Sequence, residues 1–550
     1  MTPTPNPALV SQQAVVRLPR PALLLFCAAY VLPGLFGRDP WRHDDQAAFG
    51  YMLAMAEGRT SWWAPTLGGL APENALLPHW LGAASISALS PMIDAPLAAR
   101  LPFALLLALV LVLTWYATFH LARTEAAQPI AFAFGGEADT VDYARAIADG
   151  ALLALIATLG LLQLGHETTP ELVQLFAASL ALWGMAAAPY RHRLSRAAFV
   201  GGLLLLAASG APTMALVFGL ACSVVTLRSS YPEVRAFARW VIAGTAAAVA
   251  VGMLSRTWAW RWGLEASGAQ AFQLVRLLAW FLWPAWLLAA WTLWRWRHHV
   301  TKRHIAVPLS LAAVSLAACI AGGGFDRALM IGLPGFAVLA AFALPTLRRG
   351  ATSAIDWFSV FFFTIAAIGF WVVYAAMVIG VPAKTAANIA KLASGFKMTF
   401  SVMPFVLAVA ATLAWLALVR WRTGRHRAAL WKSLVLPAGG VALAWLLAMT
   451  LWLPLLDYAR SNRPWVAQIA PHVPRGACVA APGYSRAAIA SLEQYGRWRV
   501  ETATTSTCAI ALRPERRGQA STAPSGWEVA ARVRRPTDRD EITVVLRRPR

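Results

Sequence analysis

Residues 21–46 read PALLLFCAAYVLPGLFGRDPWRHDDQ. An apolar run long enough for a membrane helix passes directly into a charged stretch that contains two adjacent aspartates, Asp44 and Asp45. Arg17 and Arg20 precede the run, and no A-x-A cleavage site follows it. We therefore interpret this segment as a retained first membrane span that opens into a functional loop, rather than as a secretion signal.

The composition of the whole chain is that of a membrane protein. Of its 550 residues, 59% are hydrophobic and 13% are charged, and the mean hydropathy is +0.56. Soluble domains have about 25% charged residues. The net charge of +23 would favour nucleic acid as the partner of a soluble protein, but the loops of a membrane protein account for it better, and no nucleic-acid partner is expected.

Apolar runs recur along the first 456 residues and predict about thirteen transmembrane helices. They lie near 21–37, 98–121, 150–165, 172–188, 197–209, 211–227, 240–255, 277–294, 305–321, 328–346, 357–379, 401–419 and 434–456. All 25 carboxylates fall outside these runs, whereas a proton-coupled transporter usually keeps one within the membrane.

The distribution of basic residues predicts the orientation. Alternate loops, starting with the N-terminus, hold 21 of the 48 Lys and Arg residues, and the opposite loops hold 11. The positive-inside rule then places the N-terminus in the cytoplasm of a bacterium, and the odd number of spans places the C-terminus in the periplasm.

Residues 457–550 form a second, polar region. Short strand patterns occur at 478–481, 497–500, 508–512, 527–530 and 542–546, with a helix predicted over 485–494, so we expect a small α+β domain. Cys478 and Cys508 lack metal-site spacing and predict a disulfide in an oxidising compartment. The domain has 16 basic and 8 acidic residues, an excess that forms either a solvated face or a surface for anionic lipid head groups.

The predicted first periplasmic loop, residues 37–97, is too long for a simple connection. It carries six carboxylates, at Asp39, Asp44, Asp45, Glu57, Glu73 and Asp94. The adjacent aspartates beside His43 could act as a base or hold a divalent cation, or they could cap a helix that begins there.

The order of motifs in this loop resembles the glycosyltransferase 39 family, which includes protein O-mannosyltransferases and the 4-amino-4-deoxy-L-arabinose transferases of lipid A. The resemblance covers about fifty residues. It rests on RDPW at 38–41, the acidic pair at 44–45, a helix ending at Gly58, SWWAP at 61–65, and PENALLPHWL at 72–81.

The resemblance implies an all-α polytopic membrane fold of the GT-C type with a periplasmic C-terminal domain. It also implies an inverting transfer of sugar from a polyprenyl-phosphate donor to a lipid, glycan or protein acceptor. Asp44 matches the essential aspartate of the family, Asp45 its acidic neighbour, and Glu73 a metal-site glutamate. The family often has an acidic residue in the second outer loop, where Glu167 or Glu171 could instead cap the next helix.

Two family residues associated with the carrier phosphate are missing. Asn74 stands where the family has Lys, and no Arg follows the acidic pair. Cations for the donor phosphate must therefore come from other outer loops. The candidates are Arg256, Arg261, Arg327, Lys384, Lys391 and Lys397.

A divalent metal is a further expectation, with Glu73 and His79 as its candidate ligands. Two functions other than glycosyl transfer stay open at this point. The chain could be a transporter or flippase for a lipid-linked envelope intermediate, or an inactive scaffold.

Overall fold

The computed structural model describes residues 6–41, 43–73, 75–258, 262–265, 267–424, 429–503, 505–516, 524–538 and 540–549. These residues form 22 α-helices and one small β-sheet. The helices are α1 Arg20–Val31, α2 Asp44–Ala56, α3 Leu76–Leu89, α4 Ala95–Ala122, α5 Thr140–Ala157, α6 Leu159–Leu164, α7 Pro170–Ala187, α8 His192–Ala208, α9 Pro212–Leu227, α10 Pro232–Leu254, α11 Gly268–Phe281, α12 Ala285–Arg295, α13 Arg303–Ala321, α14 Asp326–Ile331, α15 Leu333–Ala343, α16 Arg349–Ile379, α17 Ala383–Leu392, α18 Val402–Thr423, α19 Lys432–Thr450, α20 Leu453–Arg460, α21 Arg463–Ile469 and α22 Arg486–Gly496.

The predicted apolar runs all coincide with helices, which confirms a helical membrane-type bundle. Among the described residues, seven helices are long and apolar enough to cross a membrane alone: α4, α7, α10, α13, α16, α18 and α19. The pair α11 and α12 would add one more span, but it is bent by 91°. Four further apolar helices are shorter than a bilayer requires, so the count of thirteen spans stays a prediction.

Burial separates the centre of the bundle from its lipid-facing rim. The most apolar window of α7 is 83% buried and that of α19 is 72% buried, whereas the corresponding window of α18 is only 11% buried. Small residues allow the central helices to approach closely. At Gly202 in α8, an added Cβ would lie 2.7 Å from the backbone oxygen of Ala177 in α7.

Asp149 and Asp356 each lie one residue ahead of a predicted apolar run, within helices that begin further toward the N-terminus than those runs. Asp149 is buried in α5 and accepts hydrogen bonds from Trp115 Nε1 at 2.8 Å and from the amide of Leu18 at 3.2 Å. Asp356 in α16 forms an ion pair with Arg422 of α18. Both carboxylates therefore have partners within the bundle.

The C-terminal region contains all five predicted strands, and helix α22 matches the predicted helix. The strands are β1 Cys478–Ala480, β2 Arg499–Glu501, β3 Ile510–Arg516, β4 Glu528–Arg534 and β5 Glu541–Arg547, in the order β2-β1-β3-β5-β4. β1 pairs in parallel with β2 and β3, and β5 pairs antiparallel with β3 and β4. Cys478 and Cys508 form a disulfide with their Cα atoms 5.2 Å apart.

The first loop is docked against the C-terminal domain through helices α2 and α22. Gly50 of α2 lies so close to Ala490 of α22 that a Cβ at position 50 would be 2.4 Å from that of Ala490. Gln46 Nε2 donates to Gln494 Oε1 at 2.8 Å, and Arg486 forms an ion pair with Glu73. The loop therefore has a rigid support outside the helical bundle.

Replacing Gly50 with Ala should weaken this docking. The added methyl group overpacks the contact with Ala490, and we expect a loss of about 1–3 kcal/mol in the free energy of unfolding. Thermal unfolding in detergent, together with protease sensitivity of the C-terminal domain, measures the effect. Gly369→Ala is the matched control, because no atom lies within 4 Å of an added Cβ at that helical position. Equal behaviour of the two variants would contradict a tight α2–α22 contact.

Candidate active site

The segment between α1 and α2 is held by helices α20 and α21. Asp457 accepts a hydrogen bond from Trp41 Nε1 at 2.7 Å and one from the amide of Asp39 at 3.3 Å. The Asp39 carboxylate in turn accepts two from Arg463, at 2.8 and 2.5 Å. These bonds fix the path of the chain directly before the acidic pair.

Asp45 is a buried anchor. Its two oxygens accept hydrogen bonds from the amide and the hydroxyl of Thr168, at 2.8 and 2.9 Å, and from the amide of Trp41 at 3.1 Å. Arg38 Nη2 lies 3.4 Å away. These four donors account for the accepting capacity of a carboxylate, so Asp45 ties α2 to the second loop and has no lone pair left for a substrate.

The environment of Asp45 favours its charged form. Burial alone would raise the pKa of Asp45, but the charges of Arg38 and Arg100 and the amides of Thr168 and Trp41 together lower it. The carboxylate is therefore ionised at neutral pH.

Arg327, at the start of α14, joins three predicted catalytic carboxylates. Its Nε lies 2.9 Å from Asp44, its Nη2 lies 2.7 Å from Glu167, and its Nη1 lies 3.7 Å from Glu171. The same Nη1 donates to Thr169 Oγ1 at 3.1 Å. One guanidinium thus brings the first loop, the second loop, the start of α7 and the start of α14 to a single point.

The three carboxylates differ in exposure. The Asp44 side chain is 62% exposed, whereas those of Glu167 and Glu171 are 4% and 8% exposed. Burial raises the pKa of Glu167, and the charge of Arg327 opposes that shift. The pKa of Arg327 lies above its usual value, because the three carboxylates outweigh the effect of its burial. Asp44 is therefore the carboxylate of this cluster that a substrate can reach.

The backbone before Asp44 is strained. His43 has a φ of 71°, a left-handed conformation that costs a residue with a side chain about 1–3 kcal/mol. This turn lets α2 begin with Asp44 beside Arg327 while the side chain of Asp45 enters the interior.

The other predicted cations lie apart from this cluster. Arg256 follows α10, Lys384 and Lys391 belong to α17, and Lys397 follows that helix; all four are exposed. Within the described part of the chain they form no ion pair with an acidic side chain. Arg261 lies outside the described residues. Arg327, predicted as a phosphate ligand, has carboxylate partners instead.

The metal hypothesis fits poorly with the positions of its predicted ligands. Glu73 pairs with Arg486 and is 61% exposed, and His79 Nδ1 lies 3.1 Å from the carbonyl oxygen of Ala75. Among the described residues, one group of three potential ligands is close enough to hold an ion: Cys478, Cys508 and Glu501. Both cysteines of that group are in the disulfide, so we derive no step of the chemistry through a metal.

Several residues that shape the site carried no clear signal in the sequence. Arg38 and Thr168 hold Asp45, Asp457 holds Trp41, and Arg100 adds positive charge behind them. Arg38 belongs to the RDPW motif, and that was the available clue. The other contacts join positions up to 418 residues apart, as between Asp39 and Asp457.

Substitutions at the two adjacent aspartates should show that Asp45 is needed for stability and that Asp44 is not. Asp45→Asn turns an amide toward buried donors and leaves Arg38 without its counter-charge, so we expect the variant to lose about 3 kcal/mol of stability. Asp44→Asn alters an exposed pair and should change stability by less than about 1 kcal/mol. Thermal unfolding of both variants in the same detergent measures the difference.

The pH dependence of unfolding gives a second readout for Asp45. Because its pKa is lowered in the folded protein, its ionised form stabilises the wild type above about pH 4, and this part is lost as the pH falls further. The Asp45→Asn variant should lack this part of the acid dependence. Equal stability of the Asp44→Asn and Asp45→Asn variants would contradict the anchoring role.

Comparison with known proteins gives a match in structure alone. No family model and no curated protein matches the sequence. Two crystal structures of ArnT from Cupriavidus metallidurans are similar over 96% of this chain and 98% of theirs, each with a TM-score of 0.58. One of them is bound to undecaprenyl phosphate and is 14% identical to this chain; the other is in the apo state and is 16% identical. The chain therefore has the fold of ArnT over nearly its whole length, as the resemblance in the first loop led us to expect.

Proposed function

We propose that the protein is a membrane glycosyltransferase that uses a polyprenyl-phosphate-linked sugar as its donor. The observation that carries the proposal is the contact of Arg327 with Asp44, Glu167 and Glu171 at one end of a helical bundle with the ArnT fold. The undecaprenyl phosphate bound to one of the ArnT structures supports a lipid-phosphate donor for this fold.

Asp44 is the proposed general base. Its carboxylate accepts the proton from an acceptor hydroxyl or amine while that group forms a bond to the anomeric carbon of the sugar. The bond from that carbon to the phosphate oxygen breaks, and the polyprenyl phosphate leaves with the electron pair. A single displacement of this kind inverts the anomeric configuration.

Arg327 has the role of a positioning residue. Its planar guanidinium holds Asp44 through Nε while both terminal nitrogens face the buried glutamates. Glu167 and Glu171 keep the guanidinium in place, so the position of Asp44 depends on all three partners. Lysine has one ammonium group and cannot make the same set of contacts.

The charges around Asp44 determine which residues can stabilise the phosphate of the donor. Three carboxyl groups surround the single guanidinium, so the acidic groups of the cluster outnumber its cation. A phosphate leaving group needs cations, and the proposal assigns this role to the exposed outer-loop residues Arg256, Lys384, Lys391 and Lys397.

The acceptor is proposed to be a lipid, such as lipid A, a glycan or a protein on the periplasmic side of a bacterial inner membrane. An anionic lipid acceptor would suit the basic C-terminal domain that is docked on the first loop. The alternative, transport of a lipid-linked intermediate, gains no support from Asp149 or Asp356, since each has a partner within the bundle.

Replacing Asp44 with Asn should abolish transfer without unfolding the protein. Loss of a general base slows a reaction by about 10²–10⁴-fold. Mass spectrometry of lipid A and envelope glycans from a deletion strain, complemented with wild type or variant, measures the product. Asp94→Asn is the matched control, since Asp94 is an exposed carboxylate of the same loop. Wild-type product levels with Asp44→Asn would rule out this base.

Replacing Arg327 with Lys should lower transfer by about 100-fold, because the charge stays while the contacts to the carboxylates are lost. Arg59→Lys, an exposed position in the first loop, serves as the control. The same product assay applies, with melting temperature as a check on folding. If the Arg327→Lys variant keeps full activity, Arg327 does not position Asp44.

A further inference from the structure

The end of the bundle opposite the active site contains a second cluster of charged residues. Helix α19 leads at its C-terminal end to α20, where Asp457 holds Trp41. Its N-terminal end lies against the segment before α1, where Trp431 Nε1 donates to the carbonyl of Val16 at 2.7 Å. A helix of 19 residues is about 28 Å long, so this end lies about one membrane thickness from the site.

A cavity of about 740 Å³ opens there between the starts of α16 and α19 and the end of α18. Arg349, Arg422 and Lys432 line it, together with the acidic Asp356. Asp356 pairs with Arg422, so the lining has an excess of two positive charges. The charge of the cavity favours an anion.

An apolar cavity adjoins the charged one. It has a volume of about 570 Å³ and lies on the other side of Lys432 between α1, α18 and α19, with Phe26 and Leu418 in its wall. Ala429 and Lys432 line both cavities. The charged cavity at the end of the bundle therefore lies beside an apolar one.

We propose that this cavity binds the phosphate head group of an anionic glycerophospholipid, with an acyl chain in the adjoining apolar cavity. Basic pockets between membrane helices are suited to phosphate head groups. Trp357, Trp421 and Trp431 line the same cavities, and tryptophan is typical of the level of the head groups in a membrane. A polyprenyl phosphate has a similar head group, but the donor is proposed to react at the opposite end of the bundle, so the phospholipid is the favoured occupant here.

The test is native mass spectrometry of the delipidated full-length protein in detergent. Phosphatidylglycerol, phosphatidylcholine and undecaprenyl phosphate are titrated separately. The main variant, Arg349→Gln with Lys432→Gln, removes two lining charges and keeps the Arg422–Asp356 pair. The matched control, Arg348→Gln with Arg420→Gln, removes two exposed charges next to the cavity. A third variant, Thr352→Trp, fills the cavity without changing its charge.

We expect the main variant to bind phosphatidylglycerol about 30-fold more weakly than wild type, because each basic residue strengthens such binding about fivefold. Thr352→Trp should weaken it as well, whereas the control should stay within about threefold of wild type. Equal binding of phosphatidylglycerol by wild type and both cavity variants would overturn the proposal. It would also be overturned if the cavity variants lost phosphatidylcholine binding to the same extent as phosphatidylglycerol binding. A loss confined to undecaprenyl phosphate would overturn the phospholipid assignment and give the head group to the carrier lipid. Transfer activity is measured separately, so failure here is distinct from failure of the proposed function.

Discussion

The arrangement of the active end depends on buried guanidinium groups that require counter-charges. A buried charge costs several kcal/mol unless it is paired. Arg38 meets Asp45 within the first loop and donates to the carbonyl oxygen of His166 in the second loop at 2.7 Å, and Arg327 of α14 meets Glu167 and Glu171. Without the second loop, Arg327 would lose both of its buried counter-charges, so the start of α14 and the second loop depend on each other. The two pairs together position Asp44.

The C-terminal domain also fixes the position of α2, from outside the helical bundle. Helix α22 packs against α2 at Gly50, and Asn462, which follows α20, donates to Ser491 of α22 at 2.8 Å. The helix that begins with Asp44 is thus enclosed between the bundle on one side and the small sheet domain on the other. The described part of this loop of about sixty residues is thus held from two sides, while the exposed end of the Asp44 side chain stays accessible.

Much of this architecture could be predicted from the sequence, because it follows from local patterns. Apolar runs located the helices, and alternating short runs located all five strands and helix α22. Helices shorter than a bilayer is thick, such as α1, left the number of spans open. The family resemblance identified Asp44, Glu167 and Glu171 as candidates, and the structure brings them together around Arg327. The role of Asp45 could not be predicted, because its partner Thr168 is 123 residues away. The same holds for Arg327, whose three partners belong to two other loops.

The charge of the site places a further requirement on the proposed reaction. Arg327 is surrounded by carboxylates, and a donor phosphate that approached it would meet their negative charge at close range. The phosphate must therefore be met by cations that come from elsewhere. Helix α17 is suited to this, because Lys384 and Lys391 lie on it and none of its residues is buried. An exposed helix has few contacts to lose when it moves, whereas Arg327 and its glutamates are fixed by burial. The structure thus separates a rigid acidic part of the site, which contains the proposed base, from cations on the surface that a negatively charged donor can attract.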